Sequence, residues 1–326
     1  MSARPRIVVL DDYEQAMRAM ADWSAIDAKA DVTVQHGKLR GDALLAAIAE
    51  ADAIAMVRDR TPFKADLLAR LPKLRYLVFT GARNTQLDAA AFAARGIPVS
   101  HTGKDPGKDS TAEHTWALIL AASRRLEAGM ALVRQGRWRD GGPLATILRG
   151  ERLGLVGFGE IGQRVAAVGK AFGMELVTWS PHMTPERAAA GGATAVSLDE
   201  LLATAKVASL HLVPSEATRR LLDAPRLAAM RPDAILVNTS RSALIDMAAL
   251  PAALAAGRPG MVALDVFDEE PLPPGFPLAA MANAVLSPHV GFVAQQVYAQ
   301  FARGMVEGLG AWLEGRPLPR LLAPPA

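Results

Sequence analysis

Short apolar runs alternate with amphipathic stretches of helical period along most of the 326-residue chain. Continuous apolar runs bounded by turn residues are typical of strands buried on both faces of a parallel sheet, and their alternation with helices predicts the α/β class. The first series of predicted strands is Ile7–Leu10, Val32–Val34, Ala53–Val57, Leu74–Phe79 and Ile97–Val99. The second series is Leu153–Val156, Glu175–Trp179, Val207–Leu212, Ile235–Asn238, Val262–Phe267 and Val285–Leu286. The pattern predicts two domains, each a doubly wound parallel sheet.

A polar segment bearing glycine and proline, residues 101–110, separates the two series and predicts a linker. A long helical pattern follows it, from about Thr111 to about Gln135. Within the second series, Ser197-Leu-Asp-Glu200 matches the capping box that begins many helices. A last helix is predicted from about Ala294 to Glu314.

The segment Gly157-Phe-Gly-Glu-Ile-Gly162 lies between an apolar strand and a helical pattern. In that context the first glycine permits a tight turn, the second lets the backbone approach a pyrophosphate, and the third lets helix and strand pack closely. The helix N-terminus then offers free N–H groups to the phosphates. The segment therefore predicts a dinucleotide site whose contacts are Gly157, Phe158, Gly159, Glu160, Ile161 and Gly162.

The next strand ends at Ser180, where an NAD site usually has an acidic residue that bonds the ribose 2′-hydroxyl. His182 and Arg187 follow and offer positive character. The absent carboxylate and these bases favour NADP slightly. NAD stays open as the alternative, with Ser180 bonding the plain ribose.

Three polar residues, Arg241, Glu270 and His289, each follow a predicted strand of the second series. Strand ends of an open α/β sheet form its ligand site. Arg241 offers a planar fork of donors for an α-keto or α-hydroxy carboxylate. His289 can donate a proton to a carbonyl, and Glu270 would orient the ring and favour the imidazolium. Taken singly, Arg241 could be a surface arginine in a turn, Glu270 a solvated loop acid and His289 a core histidine. Together, in this order, the three residues predict a catalytic site.

Composition narrows the class of protein. The net charge of +3 is too diffuse over this length to indicate nucleic acid. The absence of cysteine excludes disulfides and thiolate metal sites, and no metal site is expected. No apolar run is long enough to span a bilayer, and the first apolar run indicates a strand rather than a signal peptide. We therefore expect a cytoplasmic protein with no membrane partner.

These motifs resemble the D-isomer-specific 2-hydroxyacid dehydrogenase family over essentially the full length of the chain. The matching segments are Gly157–Gly162, Val237-Asn-Thr-Ser-Arg241, Leu264-Asp-Val-Phe-Asp-Glu-Glu270-Pro and Ser287-Pro-His289-Val-Gly291. The resemblance implies an NAD(P)-dependent oxidoreductase of small 2-oxo and D-2-hydroxy acids. By this resemblance, Arg241 would bind the substrate carboxylate, and His289, paired with Glu270, would be the acid/base.

The same resemblance implies a Rossmann cofactor domain, 104–291, inserted into a flavodoxin-like substrate domain, 1–103 and 292–326. It also implies a homodimer formed through the cofactor domain. Asp265 would hold the nicotinamide carboxamide, and Thr111 and Val213 would line the cofactor cleft.

The sequence departs from the family pattern at two places. Ser242 replaces the common glycine after the arginine, and the loop Thr80–Asp88 is poorer in glycine than usual. Arg83 and Asn84 are therefore candidates for substrate selectivity, although Arg83 could equally point to solvent. Arg60, outside this loop, is a further candidate that would border the site. An alternative function is an NAD(H)-sensing, corepressor-like binding protein without physiological turnover. Glu270, where formate dehydrogenases of the superfamily carry glutamine, disfavours that activity.

Overall fold

The structure is a computed structural model that describes residues 4–139 and 141–323. Within these residues the strands are β1 Arg6–Leu10, β2 Asp31–Val34, β3 Ala53–Met56, β4 Tyr76–Phe79, β5 Val99–His101, β6 Arg152–Val156, β7 Glu175–Trp179, β8 Thr194–Ala195, β9 Val207–Leu210, β10 Ile235–Asn238, β11 Met261–Leu264 and β12 Ala284–Leu286. The α-helices are α1 Ser24–Asp27, α2 Gly41–Ile48, α3 Ala65–Ala69, α4 Ala89–Ala94, α5 Gly107–Arg124, α6 Leu126–Arg134, α7 Glu160–Ala171, α8 Pro185–Ala190, α9 Leu198–Thr204, α10 Ala224–Ala229, α11 Leu250–Ala255 and α12 Gln295–Leu313.

The chain divides into two compact units. Unit 1 is Met1–Pro106 with Val293–Ala326, and unit 2 is Gly107–Phe292. The boundaries expected from the sequence follow residues 103 and 291. The outermost residues of the expected substrate domain, 1–3 and 324–326, lie outside the described residues.

Unit 1 contains a five-stranded sheet in the order β2-β1-β3-β4-β5, and unit 2 a seven-stranded sheet in the order β12-β11-β10-β9-β6-β7-β8. All their recorded strand pairs are parallel. The first order is flavodoxin-like, and the second is the Rossmann order with one strand added at the edge. The predicted fold class is confirmed.

Period-two alternation places the core of unit 2 on both faces of its sheet. In β10, Leu236 belongs to one apolar cluster, whereas Ile235 and Val237 belong to the other. Every residue of β9, β10 and β11 is buried. Continuous apolar runs are therefore required in these strands, and they are the runs visible in the sequence.

Several element boundaries differ from the predicted ones. Strand β5 is displaced by two residues from the predicted Ile97–Val99, because Pro98 has no N–H for the ladder. The expected linker is shorter, since α5 begins at Gly107, and the long helix breaks where Arg125 takes a left-handed φ of 55°. The edge strand β8 was not predicted. Ser197 caps α9 as predicted, its Oγ accepting from the Glu200 N–H at 3.1 Å.

Candidate active site

The glycine loop follows β6 at the point where the strand order of unit 2 reverses. Gly157 has φ +99°, and a Cβ there would lie 2.7 Å from the His211 carbonyl after β9. A Cβ on Gly162 would lie 2.5 Å from the Gly157 oxygen. These two glycines are thus required by the protein's own packing.

Gly159 has a different environment, because a Cβ there would meet nothing within 4 Å. Its φ of −77° is also accessible to any residue, so neither packing nor backbone requires glycine. It is the N-cap of α7 and has no side-chain cap. Open space beside a helix N-terminus fits the close approach of a pyrophosphate.

The side chains of the other loop residues differ in exposure. Phe158 is buried and Ile161 packs partly buried against the same apolar cluster. The exposed Glu160 forms ion pairs with Lys108 and Arg164. Of these three side chains, that of Glu160 is the exposed one, and it is engaged in ion pairs.

The turn after β7 carries the residues expected near the adenosine ribose. Ser180 is half-buried, and its carbonyl accepts from the Met183 N–H at 3.0 Å. His182 and Arg187 are exposed, and Arg187 Nη1 donates to the His182 carbonyl at 2.6 Å. The Arg187 guanidinium is thus held within the turn that begins at Ser180.

Glu270 and His289 are brought together at the carboxyl end of the sheet. His289 Nδ1 lies 2.7 Å from Glu270 Oε2, and Glu270 Oε1 accepts from the Phe267 N–H at 3.0 Å. Both side chains are 35% exposed. Burial opposes ionisation of Glu270, but the hydrogen bond and charge contact with His289 outweigh it and hold the pKa of the carboxyl below its usual value.

Arg241 begins a short 3-10 helix, Ser242–Leu244, after β10. Its side chain is exposed, and Nη1 donates to the Ser240 carbonyl at 2.7 Å. Asn238, at the end of β10, holds the loop: Nδ2 donates to the Arg241 carbonyl at 2.9 Å, and Oδ1 accepts from the Ser240 N–H at 3.0 Å. Because β10, β11 and β12 are neighbours, Arg241, Glu270 and His289 follow adjacent strands at one sheet edge.

Asp265 follows β11 and is only 1% exposed. Its carboxylate accepts from the Ser287 hydroxyl and from the N–H groups of Val290 and Gly291. Burial opposes its ionisation, but these bonds and His114 outweigh burial and lower the pKa of Asp265. Both carboxylate oxygens are therefore engaged by the protein.

The two residues expected to line the cofactor cleft differ in exposure. Thr111 is half-buried, and its hydroxyl donates to the Gly107 carbonyl at 2.7 Å. Val213 is 84% exposed, which is unusual for an apolar side chain of this size and leaves it open to a ligand.

The candidates for substrate selectivity lie in unit 1. Arg60 binds both Glu14 oxygens, at 2.7 and 3.0 Å, and its side chain is only 15% exposed. Asn84 Nδ2 lies 3.4 Å from the Arg58 carbonyl, and Asn84 Oδ1 accepts from the Gln86 N–H. Arg83 is exposed. Of the two candidate arginines, Arg83 presents its charge to solvent and Arg60 does not.

Comparison with known proteins assigns the family. The family model described as D-isomer specific 2-hydroxyacid dehydrogenase, NAD binding domain, matches residues 116–291. A glyoxylate reductase of Aeropyrum pernix is 39% identical over 98% of this chain and 96% of its own length. The chain belongs to the D-isomer specific 2-hydroxyacid dehydrogenase family. It is therefore an oxidoreductase of CH–OH donors with a nicotinamide cofactor, as the resemblance implied.

Other members of the family are similar to different extents. A D-3-phosphoglycerate dehydrogenase of Mycobacterium bovis is 38% identical over 85% of this chain, but the match spans only 52% of that protein. The crystal structure of a phosphoglycerate oxidoreductase from Vibrio cholerae aligns with a TM-score of 0.86 at 33% identity, covering 95% of this chain and 99% of that one. The two-domain dehydrogenase fold is thus shared over nearly the whole chain.

Within this dehydrogenase fold, sequence reasoning missed His211 beside the glycine loop. Its Nε2 lies 2.9 Å from Ser209 Oγ, and burial lowers its pKa to about 4. The ring is therefore neutral at neutral pH. The His211 backbone lies so close to Gly157 that a Cβ there would clash with it, and the sequence gives no signal of that contact.

The described residues contain no group of three or more histidine, aspartate or glutamate side chains arranged to hold a metal ion. In the same residues, no helix combines the length and apolar character needed to cross a membrane.

Proposed function

We propose that this chain reduces a small 2-oxo acid to the D-2-hydroxy acid, with His289 as the proton donor. The observation that carries the proposal is the 2.7 Å contact between His289 Nδ1 and Glu270 Oε2 at the carboxyl end of a dinucleotide-type sheet. With Nδ1 engaged, Nε2 is the ring nitrogen left to donate to a substrate oxygen. Glu270 fixes the orientation of the ring and compensates its charge.

Arg241 is the proposed carboxylate ligand. It is exposed at the same sheet edge, and only its Nη1 has a recorded hydrogen bond among the described residues. The rest of the fork can receive a carboxylate. Asn238 supports this role because it fixes the backbone on which Arg241 stands.

The proposed cofactor site is the backbone of Gly157–Gly162, with Thr111, Val213 and Asp265 as further contacts inferred from the family. The bound nicotinamide supplies the hydride. We propose a preference for NADP over NAD, because Ser180 offers no carboxylate to repel a 2′-phosphate and the Arg187 guanidinium of α8 is bonded to the same turn at His182. Ser180→Asp should shift the ratio of kcat/KM values toward NADH by at least about tenfold, and Glu186→Gln in α8 should not.

The proposed substrates are small 2-oxo acids such as glyoxylate and hydroxypyruvate, with unit 1 as the substrate domain. The activity named for the Aeropyrum relative supports this class. Arg83 and Asn84 are the proposed selectivity residues. If Arg83 binds an acidic or phosphorylated tail, Arg83→Ala should raise KM for 3-phosphohydroxypyruvate and leave KM for glyoxylate unchanged.

We propose a homodimer formed through unit 2. Helix α6 has no buried residue, and it and the segment that follows expose large apolar side chains, an unusual arrangement for a monomer's surface. These side chains are Leu126, Met130, Val133, Trp138, Leu144 and Ile147. Light scattering coupled to size-exclusion chromatography should give a dimer mass, and Val133→Glu should reduce it to a monomer mass.

The test of the central proposal is a reduction screen. NADH and NADPH are paired separately with glyoxylate, hydroxypyruvate, pyruvate, phenylpyruvate and 3-phosphohydroxypyruvate, and loss of the reduced cofactor is followed. Turnover with at least one pair is expected. Nucleotide binding without turnover across the panel would contradict the proposal and favour the sensor function.

A further inference from the structure

The segment that carries His289 has a backbone conformation that needs external support. His289 has φ +56°, in the left-handed region that L-residues with a side chain rarely adopt. The residue lies in the loop between β12 and α12. Within the loop, the His289 N–H bonds the Ser287 carbonyl at 3.0 Å.

Asp265 holds this loop from both sides of His289. Its Oδ1 lies 2.5 Å from the Ser287 hydroxyl and 2.9 Å from the Val290 N–H, and its Oδ2 lies 2.8 Å from the Gly291 N–H. A Cβ on Gly291 would lie 3.0 Å from Oδ2, so the contact is close. One buried carboxylate thus joins three residues of the 287–291 loop.

Helix α5 completes the network with two side chains one turn apart. His114 Nε2 lies 2.9 Å from Ser287 Oγ and 3.2 Å from Asp265 Oδ1. Ser110 Oγ donates to the Gly291 carbonyl at 2.8 Å. Residues i and i+4 share a helix face, so this face of α5 is directed at the loop.

The network determines which nitrogen of His114 carries a proton. Ser287 has a single hydroxyl proton, and at 2.5 Å it donates that proton to the Asp265 carboxylate. The Ser287 oxygen can then only accept, so His114 Nε2 must be protonated and donate. His114 is therefore an obligate donor to the serine–carboxylate pair.

We propose that His114 and Ser287 are positioning residues for His289, acting through Asp265 and the 287–291 loop rather than by touching the substrate. This inference rests on the proposed role of His289 as proton donor. It gives a side chain of α5 a part in orienting the reacting group, although His114 precedes His289 by 175 residues. Loss of the donor at His114 Nε2 should loosen the His289–Glu270 contact.

The test compares His114→Leu, which removes the donor, with His114→Gln, whose amide retains one. His114→Leu should lower kcat at least about tenfold with little change in the KM for NADPH or NADH, because misplacing a catalytic group affects the reaction more than cofactor binding. His114→Gln should recover most of kcat. Ser287→Ala should resemble His114→Leu, and Ser287→Thr should resemble the wild type.

A matched control separates positioning from general stability. Ser197→Ala removes a serine hydrogen bond elsewhere in unit 2, the helix cap in which Ser197 Oγ accepts from the Glu200 N–H at 3.1 Å. Its kcat should stay close to that of the wild type even if its melting temperature falls. Equal kcat losses in Ser197→Ala and Ser287→Ala would overturn the proposal.

A second readout does not require turnover. The chain has six histidines, so histidine-labelled protein gives few imidazole signals, and the one missing in His289→Ala belongs to His289. That signal should shift in His114→Leu and keep its wild-type position in His114→Gln and Ser197→Ala. An unmoved signal in His114→Leu would overturn the positioning role. Absence of turnover in the wild type would instead contradict the proposed function.

Discussion

Charged residues follow the strands of both units, but their partners differ. In unit 1, Arg60 and Glu14 satisfy each other in a bidentate pair that is mostly buried. In unit 2, buried groups such as Asp265 and Asn238 bond the loop backbone, and Arg241 and His289 extend from the loops they hold. The position of a charged residue after a strand therefore does not reveal whether it binds a ligand or stabilises the fold. The buried hydrogen-bond acceptors around the residue distinguish the two cases.

The largest effect should come from removing Arg241 or His289, the proposed substrate contacts of unit 2. His289→Ala or Arg241→Ala should lower kcat/KM by at least about 10²-fold, since each removes a proposed contact to the reacting substrate. Cofactor dissociation constants, measured by fluorescence, should change little. Arg219→Ala, an exposed arginine of the same unit, is the control. Near-normal activity in either test variant would contradict the assigned roles.

Next in size should be the loss of a buried acceptor that holds the loop. In Asp265→Asn an amide takes the place of a carboxylate that has four polar contacts. The amide NH2 is itself a donor and would face donors of the protein. We expect the free energy of unfolding at pH 7 to fall by about 2 kcal/mol. Asp109→Asn, an exposed partner of Arg164, should change it by less than about 1 kcal/mol.

The lowered pKa of Asp265 determines the pH range over which the wild type is more stable than Asp265→Asn. A carboxyl whose pKa is depressed by folding contributes stability above its unfolded value, about 3.8, and loses it as pH falls through the folded value. The gap between wild type and Asp265→Asn should therefore be constant from about pH 7 to about pH 5 and narrow below about pH 4. A gap that closes between about pH 7 and pH 5 would assign the effect to another group.

The sequence was informative where local pattern decides the structure. Buried parallel strands require continuous apolar runs, so the two sheets and the strand-end positions of Arg241, Glu270 and His289 could be predicted. The contact between Arg60 and Glu14 joins residues 46 apart, and that between His114 and Ser287 joins residues 173 apart. Such contacts depend on tertiary packing, for which a single sequence carries no periodic signal. The left-handed turn at Arg125 was hidden for a different reason, because arginine is a good helix former.

An effect of similar size, but of a different kind, should follow from breaking the pair in unit 1. Arg60→Met leaves Glu14 half-buried without its bidentate partner, which should cost about 2 kcal/mol of unfolding free energy. The double variant Arg60→Met/Glu14→Gln should recover part of that loss. Arg83→Met, at an exposed arginine, should leave stability unchanged. A raised KM for the accepted 2-oxo acid, with normal stability in Arg60→Met, would instead give Arg60 the substrate role that the sequence suggested.

The smallest change sharpens the comparison at a single charge. Glu270→Gln keeps the shape of the side chain but removes the anion beside His289 Nδ1, so the protonated ring loses an attraction that the neutral ring does not feel. The proposed reduction uses the protonated ring as its proton donor, and the alkaline limb of its pH–rate profile should move to lower pH. Glu269→Gln, at the exposed neighbouring residue, should leave the limb in place. If the limb does not move in Glu270→Gln while the rate falls at every pH, Glu270 acts by holding the geometry of the ring and not by its charge.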